Sequence, residues 1–227
     1  MDFYDNSYIN RFWRSDGSAS GTYVVADVQF PSSNLELFTS IGDNALYFAG
    51  YSNTTFQAYL WKTDGTIAGT KTISSTLIYP IYLTDVDGTL YFIANDLSFN
   101  SGLWKFNSKM ASPQMVKPGL YYMQYPTNAC GKLYFLTDNL IWTSDGTNAG
   151  TKPLSDPLLA GLNGISSLTG ANNRLFFSAY SYKTGRELFV GNACSQSTNA
   201  LYASRPAPDN LQVQQLKKAN LGIYPNP

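Results

Sequence analysis

The stretch Leu60-Trp61-Lys62-Thr63-Asp64-Gly65-Thr66-Ile67-Ala68-Gly69-Thr70 joins an apolar pair to a turn built on Asp-Gly, then to a Gly-Thr that opens a new extended run. The same phrase stands at Phe12-Trp13-Arg14-Ser15-Asp16-Gly17-Ser18-Ala19-Ser20-Gly21-Thr22. It returns at Ile141-Trp142-Thr143-Ser144-Asp145-Gly146-Thr147-Asn148-Ala149-Gly150-Thr151. Near-identity at separated positions marks a repeat protein. A second marker precedes each phrase: Leu46-Tyr47-Phe48, Leu90-Tyr91-Phe92, Leu133-Tyr134-Phe135 and Leu175-Phe176-Phe177, with Phe3-Tyr4 reading as the tail of an earlier copy. From Tyr4 through Phe48, Phe92, Phe135 and Phe177 the spacings are 44, 44, 43 and 42 residues. Four-stranded propeller blades repeat every ~40–50 residues.

Each unit divides into four short extended runs. In the second unit these are 35–41, 45–50, 59–63 and 69–74, separated by Gly42-Asp43-Asn44, a loop through Ser52-Asn53, and Asp64-Gly65. The third repeats the pattern at 81–86, 89–94 and 103–106, but its Trp104 phrase continues as Lys105-Phe106-Asn107-Ser108-Lys109 and lacks Asp-Gly-Thr. No amphipathic period of 3.6 is long enough for a helix, beyond a turn near Lys217 and Lys218. A single four-stranded sheet cannot hide its Tyr, Phe and Trp. Each large side chain gains roughly 1.5–3 kcal/mol on burial, so neighbouring sheets should stack face to face. Radial stacking also leaves only short, protected edges. The expected fold is therefore all-β: a β-propeller of four-stranded antiparallel blades, with about five repeats of 42–44 residues. Residues 1–203 hold the repeats. The first unit begins at its second strand, so the chain reads as a fragment of a longer ring; alternatively a five-bladed ring takes its missing inner strand from residues 211–216.

Composition bounds the function. Lys plus Arg and Asp plus Glu each number 15, so no net field draws the chain to nucleic acid or an anionic membrane. The absence of His removes Ser-His-Asp and Cys-His schemes and every imidazole zinc site. No apolar run approaches the ~18 residues needed for a membrane span, so direct membrane insertion is not expected.

The recurring Asp and Thr have a structural explanation. Asp in such a turn accepts backbone N–H groups two residues on, and Gly supplies positive φ. One carboxylate per turn is thin against the roughly six to eight oxygens of a calcium site, so no metal or cofactor is expected. Cys130 falls in a first-to-second turn and Cys194 near a third-to-fourth turn of the next unit, on one face of the ring. A disulfide is conceivable there, but one inner and one outer position predict a separation beyond the ~7 Å Cα limit.

These residues resemble a known family. Residues 11–22, 59–70 and 140–151 closely match Glu-Leu-Trp-x-x-Asp-Gly-Thr-x-x-Gly-Thr, the signature of ELWxxDGT repeat proteins, found mostly in secreted or surface proteins of Bacteroidetes. Residues 102–109 and 186–192 match in part, and the Glu is kept only at Glu187. The resemblance implies a propeller-like array and carries no established activity. A second resemblance lies in the tail. After a linker at 204–220, Leu221-Gly222-Ile223-Tyr224-Pro225-Asn226-Pro227 looks like the opening of a type IX secretion C-terminal sorting domain. That implies recognition by the type IX machinery and an extracellular or outer-membrane location.

In an up-and-down blade the Asp-Gly turns share one face. The second-to-third loops and the blade crossovers occupy the other, and they vary. They carry Tyr51, Phe56, Phe99, Tyr121, Tyr122, Tyr180 and Tyr182, with Lys183 and Arg186. Exposed aromatics beside hydroxyls and amides suit glycan or protein contacts. The expected function is a non-catalytic binding or adhesion module for a glycan or surface protein. The alternatives are an accessory subunit of a surface assembly and, with less support, a polysaccharide-active enzyme. The last needs two carboxylates ~5–10 Å apart, and Asp27, Glu36, Asp85, Asp87 and Asp96 show no motif joining them. No catalytic residue is assigned.

Overall fold

A computed structural model describes residues 11–26, 28–29, 38–52, 54–155, 159 and 161–194, with the backbone of 201–203. The expected linker at 204–220, the sorting-domain opening at 221–227, the strand at 211–216, the turn near Lys217 and the start of the first unit lie outside these residues. The described chain is an array of antiparallel sheets with no helix among them, in the propeller style expected.

Blade 1 contributes β1 (Phe12–Arg14) and β2 (Tyr23–Ala26). Blade 2 comprises β3 (Val28–Gln29), β4 (Thr39–Ser40), β5 (Leu46–Ser52), β6 (Ala58–Thr63) and β7 (Lys71–Thr72). Blade 3 comprises β8 (Leu77–Val86), β9 (Thr89–Asp96), β10 (Ser101–Phe106) and β11 (Gln114–Pro118). Blade 4 is β12 (Gln124–Ala129), β13 (Lys132–Thr137), β14 (Leu140–Ser144) and β15 (Lys152–Pro153). Blade 5 is β16 (Leu162–Ala171), β17 (Arg174–Ser181), β18 (Gly185–Asn192) and β19 (Leu201–Ala203).

Blades 3 to 5 follow the expected sequential order, each strand hydrogen-bonded to the next. Blade 2 departs from it. Its first strand is split, with β3 on the Tyr51–Ser52 end of β5 and β4 on the Leu46–Tyr47 end. The fourth strand expected over 69–74 is shorter: Lys71 and Thr72 pair with β6, and beyond them the Ile73 N–H donates to the Leu60 carbonyl at 2.8 Å.

Period-two alternation explains the Leu-Tyr-Phe marker. Leu and Phe point to one face of the second strand, Tyr to the other. Leu90 and Phe92 therefore pack backward with Tyr47 and Leu60 of blade 2. Tyr91 and Ile93 pack forward with Leu133 and Phe135 of blade 4. Tyr134, Leu136 and Ile141 in turn meet Leu175 and Phe177 of blade 5. Each internal sheet is thus buried on both faces. Polar ties repeat the same adjacency: Thr39 Oγ1 donates to the Leu83 carbonyl at 3.0 Å, and the Gly170 N–H donates to Thr127 Oγ1 at 2.8 Å.

The cysteine expectation is overturned, since Cys130 and Cys194 form a disulfide with their Cα atoms 5.3 Å apart. The third-to-fourth turn of blade 5 does not sit outside blade 4; it leans inward over its second strand, where the Tyr134 hydroxyl donates to the Ala193 carbonyl at 3.1 Å. The blade 3–4 junction shows the same lean. There Lys105 Nζ, opposite Tyr91 on the neighbouring strand, donates to the Gly146 carbonyl at 3.0 Å. Twist of each sheet offsets its outer turns against the neighbour.

Candidate binding faces

The Asp-Gly-Thr turns consume their own polar groups. Asp64 Oδ1 accepts the Thr66 N–H at 2.9 Å and the Thr66 hydroxyl at 2.7 Å. Thr66 Oγ1 accepts the Gly69 N–H at 2.9 Å, and the Thr70 hydroxyl donates back to the Thr66 carbonyl at 2.6 Å. The same bonds recur around Asp16 and Asp145. Hydrogen bonds from Ser18 to Asp16, Thr66 to Asp64 and Thr147 to Asp145 hold these carboxyls below the usual range. Turn geometry therefore accounts for the motif.

On the opposite face the sequence-selected residues divide. Phe56, Phe99, Tyr121 and Tyr182 stand well into solvent, at 75%, 63%, 72% and 82% exposure. Tyr180 and Tyr182 meet edge to face, with ring centroids 6.0 Å apart. Tyr51 is half-buried within β5. Tyr122 turns toward the β13–β14 hairpin, where its hydroxyl accepts the Asp138 N–H at 3.4 Å. Lys183 is exposed at the tip of the β17–β18 loop. Arg186 lies along its own sheet: Nη1 donates to the Gly164 carbonyl at 3.2 Å and to Ser178 Oγ at 3.0 Å.

Phe56 and Phe99 share an unusual backbone. Each closes a second-to-third loop in the left-handed region, at φ 54° and 61°. In each loop the phenylalanine N–H donates back to the residue that opens it, Phe56 to the Ser52 carbonyl four residues earlier and Phe99 to the Asp96 carbonyl three earlier, both at 2.9 Å. In blade 5 the loop closes on Gly185, one place later in the repeat, at φ 84°. Glycine takes this conformation without strain, whereas a bulky residue there is disfavoured by about 1–2 kcal/mol. Two blades thus hold an exposed phenyl ring where local backbone energetics favour glycine.

Of the candidate carboxylates among the described residues, Asp85 and Asp87 share a turn and Asp96 stands apart from them. Asp27 and Glu36 lie outside the described residues. Asp96 accepts its own loop's N–H groups from Ser98 and Asn100, at the far end of β9 from Asp85 and Asp87. By strand rise that is about 25 Å, far beyond a hydrolytic pair.

A second feature lies on the Asp-Gly face, where sequence reading placed no site. The first-to-second turns of blades 3, 4 and 5 surround an open cleft of about 470 Å³, lined by Asp87, Asn128, Cys130, Gly131 and the segment 170–173. Asp87, Cys130 and Asn172 all have positive φ in their turns. That signal was visible only as separate turn motifs about 42–43 residues apart.

No protein-family model and no curated protein matches the sequence. Among solved structures, the chain is similar to a puromycin-hydrolyzing peptidase of Mycobacterium tuberculosis, at 11% identity and a TM-score of 0.52, covering 83% of this chain and 30% of that one. A puromycin hydrolase variant, S511A, aligns at 13% identity with a TM-score of 0.49, over 84% of this chain and 32% of that one. The chain spans about a third of the length of these proteins. The first likeness supports the propeller-type fold, and at such identity it extends to the fold alone.

Proposed function

We propose that this chain is a non-catalytic binding module that presents its loop aromatics to a glycan or surface protein outside the cell. One observation carries the reading: Phe56 and Phe99 are held exposed, in strained backbone, at the same loop position of adjoining blades. Strain of this kind tends to concentrate at functional sites, where the surrounding structure imposes it. The loops around them, rich in Tyr, Ser, Asn and Thr, have the composition of adaptable recognition surfaces. Export through the type IX route is part of the proposal, and the Cys130–Cys194 bridge supports an oxidising destination.

The test is a Phe56→Gly/Phe99→Gly double variant, probed on a glycan array and by capture from cell-surface extracts. Because glycine suits both positions, thermal stability should hold or rise. Ligand retained by the native protein should fall by about tenfold or more, as for loss of aromatic anchors. Retention unchanged in the double variant, or no ligand retained by the native protein, overturns the reading.

A further inference from the structure

The cleft on the Asp-Gly face is distinct from the aromatic rim, and its walls are unusually well tied. Asn128 Nδ2 donates to Asp87 Oδ1 at 2.8 Å, joining blade 4 to blade 3. The Gly170 N–H donates to Thr127 Oγ1, joining blade 5 to blade 4. A Cβ on Gly170 would collide with the Asn128 carbonyl, so the two blades touch there backbone to backbone. The disulfide fixes Cys130 from behind. A polar site with fixed walls avoids the ordering cost that weakens most surface contacts.

The groups left over define the ligand. Among the described residues no hydrogen bond reaches Asp87 Oδ2 or the side-chain amides of Asn172 and Asn173, and these three exposed residues line the cleft. Asp87 Oδ2 lies over Gly131, 2.9 Å from where a Cβ would stand, so glycine leaves that oxygen open. Among the described residues no Lys, Arg or aromatic side chain lines the cleft. A second carboxylate, Asp85, sits in the same turn, accepting the Gly88 N–H at 2.9 Å. Burial first, and then the charge of Asp87, raise the Asp85 carboxyl above its usual range, so the two acids sense each other.

Neutral hydroxyl ligands fit this set poorly. Each uncharged hydrogen bond nets about 1 kcal/mol, and without a stacking ring a few of them do not offset the cost of association. A cation does better, because charge-assisted bonds are roughly twice as strong and it relieves the Asp85–Asp87 repulsion. A calcium-like ion needs about six or more oxygens, while one carboxylate flanked by carboxamides matches a three-donor ammonium head. We infer that this cleft binds a primary ammonium group, such as a lysine side chain, between Asp87 and the carboxamides of Asn172 and Asn173.

The test uses the full chain and Nα-acetyl-lysine amide, followed by amide NMR shifts, with the uncharged Nα-acetyl-norleucine amide as control. The lysine probe should shift the Gly131, Gly170, Asn172 and Asn173 signals saturably, and the norleucine probe should not. Asp87→Asn keeps a residue suited to positive φ and an oxygen for Asn128, so the turn should stay folded. Affinity for the lysine probe should drop about tenfold with the lost charge. Calcium in place of the probe should leave these signals unmoved. Shifts with norleucine, tighter response to calcium, an unchanged affinity in Asp87→Asn, or no saturable shift with lysine each overturn the assignment. Since the rim aromatics are untouched, the outcome is independent of ligand capture at Phe56 and Phe99.

Discussion

Asp64 and Gly69 are one device. A Cβ at Gly69 would fall on the Asp64 carboxylate, and the same collision is set up between Gly21 and Asp16 and between Gly150 and Asp145. The carboxylate folds back over a bare Cα in order to reach the Thr66 N–H and hydroxyl. Glycine at the tenth place of the repeated phrase is therefore a space requirement imposed by the aspartate. Ser18 replaces Thr in the first copy and makes the same bonds, because only the hydroxyl is used. Gly69→Ala should lower the melting temperature as much as Asp64→Ala, since either change breaks the same bonds. The double variant should then be no worse than either single one. Additive losses in thermal melts would mean that the two positions act separately. This role of Asp was legible from turn chemistry alone; the dependence of the later Gly upon it was not, because the contact exists only after the turn has closed.

At the scale of the strand, the tryptophans separate into two environments. The indole N–H of Trp61 and that of Trp104 each donate to a carbonyl of the second strand: Gly50 at 3.1 Å and Ala94 at 3.2 Å. Blade 4 differs. Its hairpin turns on Asp138 and Asn139, both at positive φ, so β13 ends early, and Trp142 Nε1 is buried with no hydrogen-bond partner among the described residues. Trp104→Phe should therefore cost about 1 kcal/mol more than Trp142→Phe, the net worth of a hydrogen bond. Urea unfolding measures the difference, and equal losses would count against the assigned bonds. The strand pattern itself was readable, since turn residues and period-two alternation bracket each run. Two features of the same elements were hidden. The split of the first strand in blade 2 follows no local signal, as β3 and β4 are placed by their common partner β5. The cleft has no contiguous signature either: Asp87, Asn128 and Asn172 come from three blades and line one cleft only through stacking.

The whole array is held by contacts between successive blades, which makes its stability a sum of local terms and nearest-neighbour interfaces. Blades 4 and 5 have an additional, covalent term. The Cys130–Cys194 bridge spans 64 residues of chain, and closing a loop of that size in the unfolded state is worth about 4 kcal/mol. Sequence reasoning set the two thiols too far apart because it gave one an inner and the other an outer position and left sheet twist out. Sheet twist brings the outer turn of blade 5 over the Tyr134 strand, and the distance closes. Because the bridge acts at a single interface, its removal should be felt unevenly. Cys130→Ser/Cys194→Ser should lower the melting temperature by about 10 °C, taking ~2–4 °C per kcal/mol at this chain length. Hydrogen exchange should show amides of β16 to β18 losing protection first, while β8 to β10, buried on both faces, keep theirs. The same order should appear when the native protein is reduced. Loss of protection spread evenly over all blades would mean that the array unfolds as one unit and that the bridge stabilises it globally, not at the junction of blades 4 and 5.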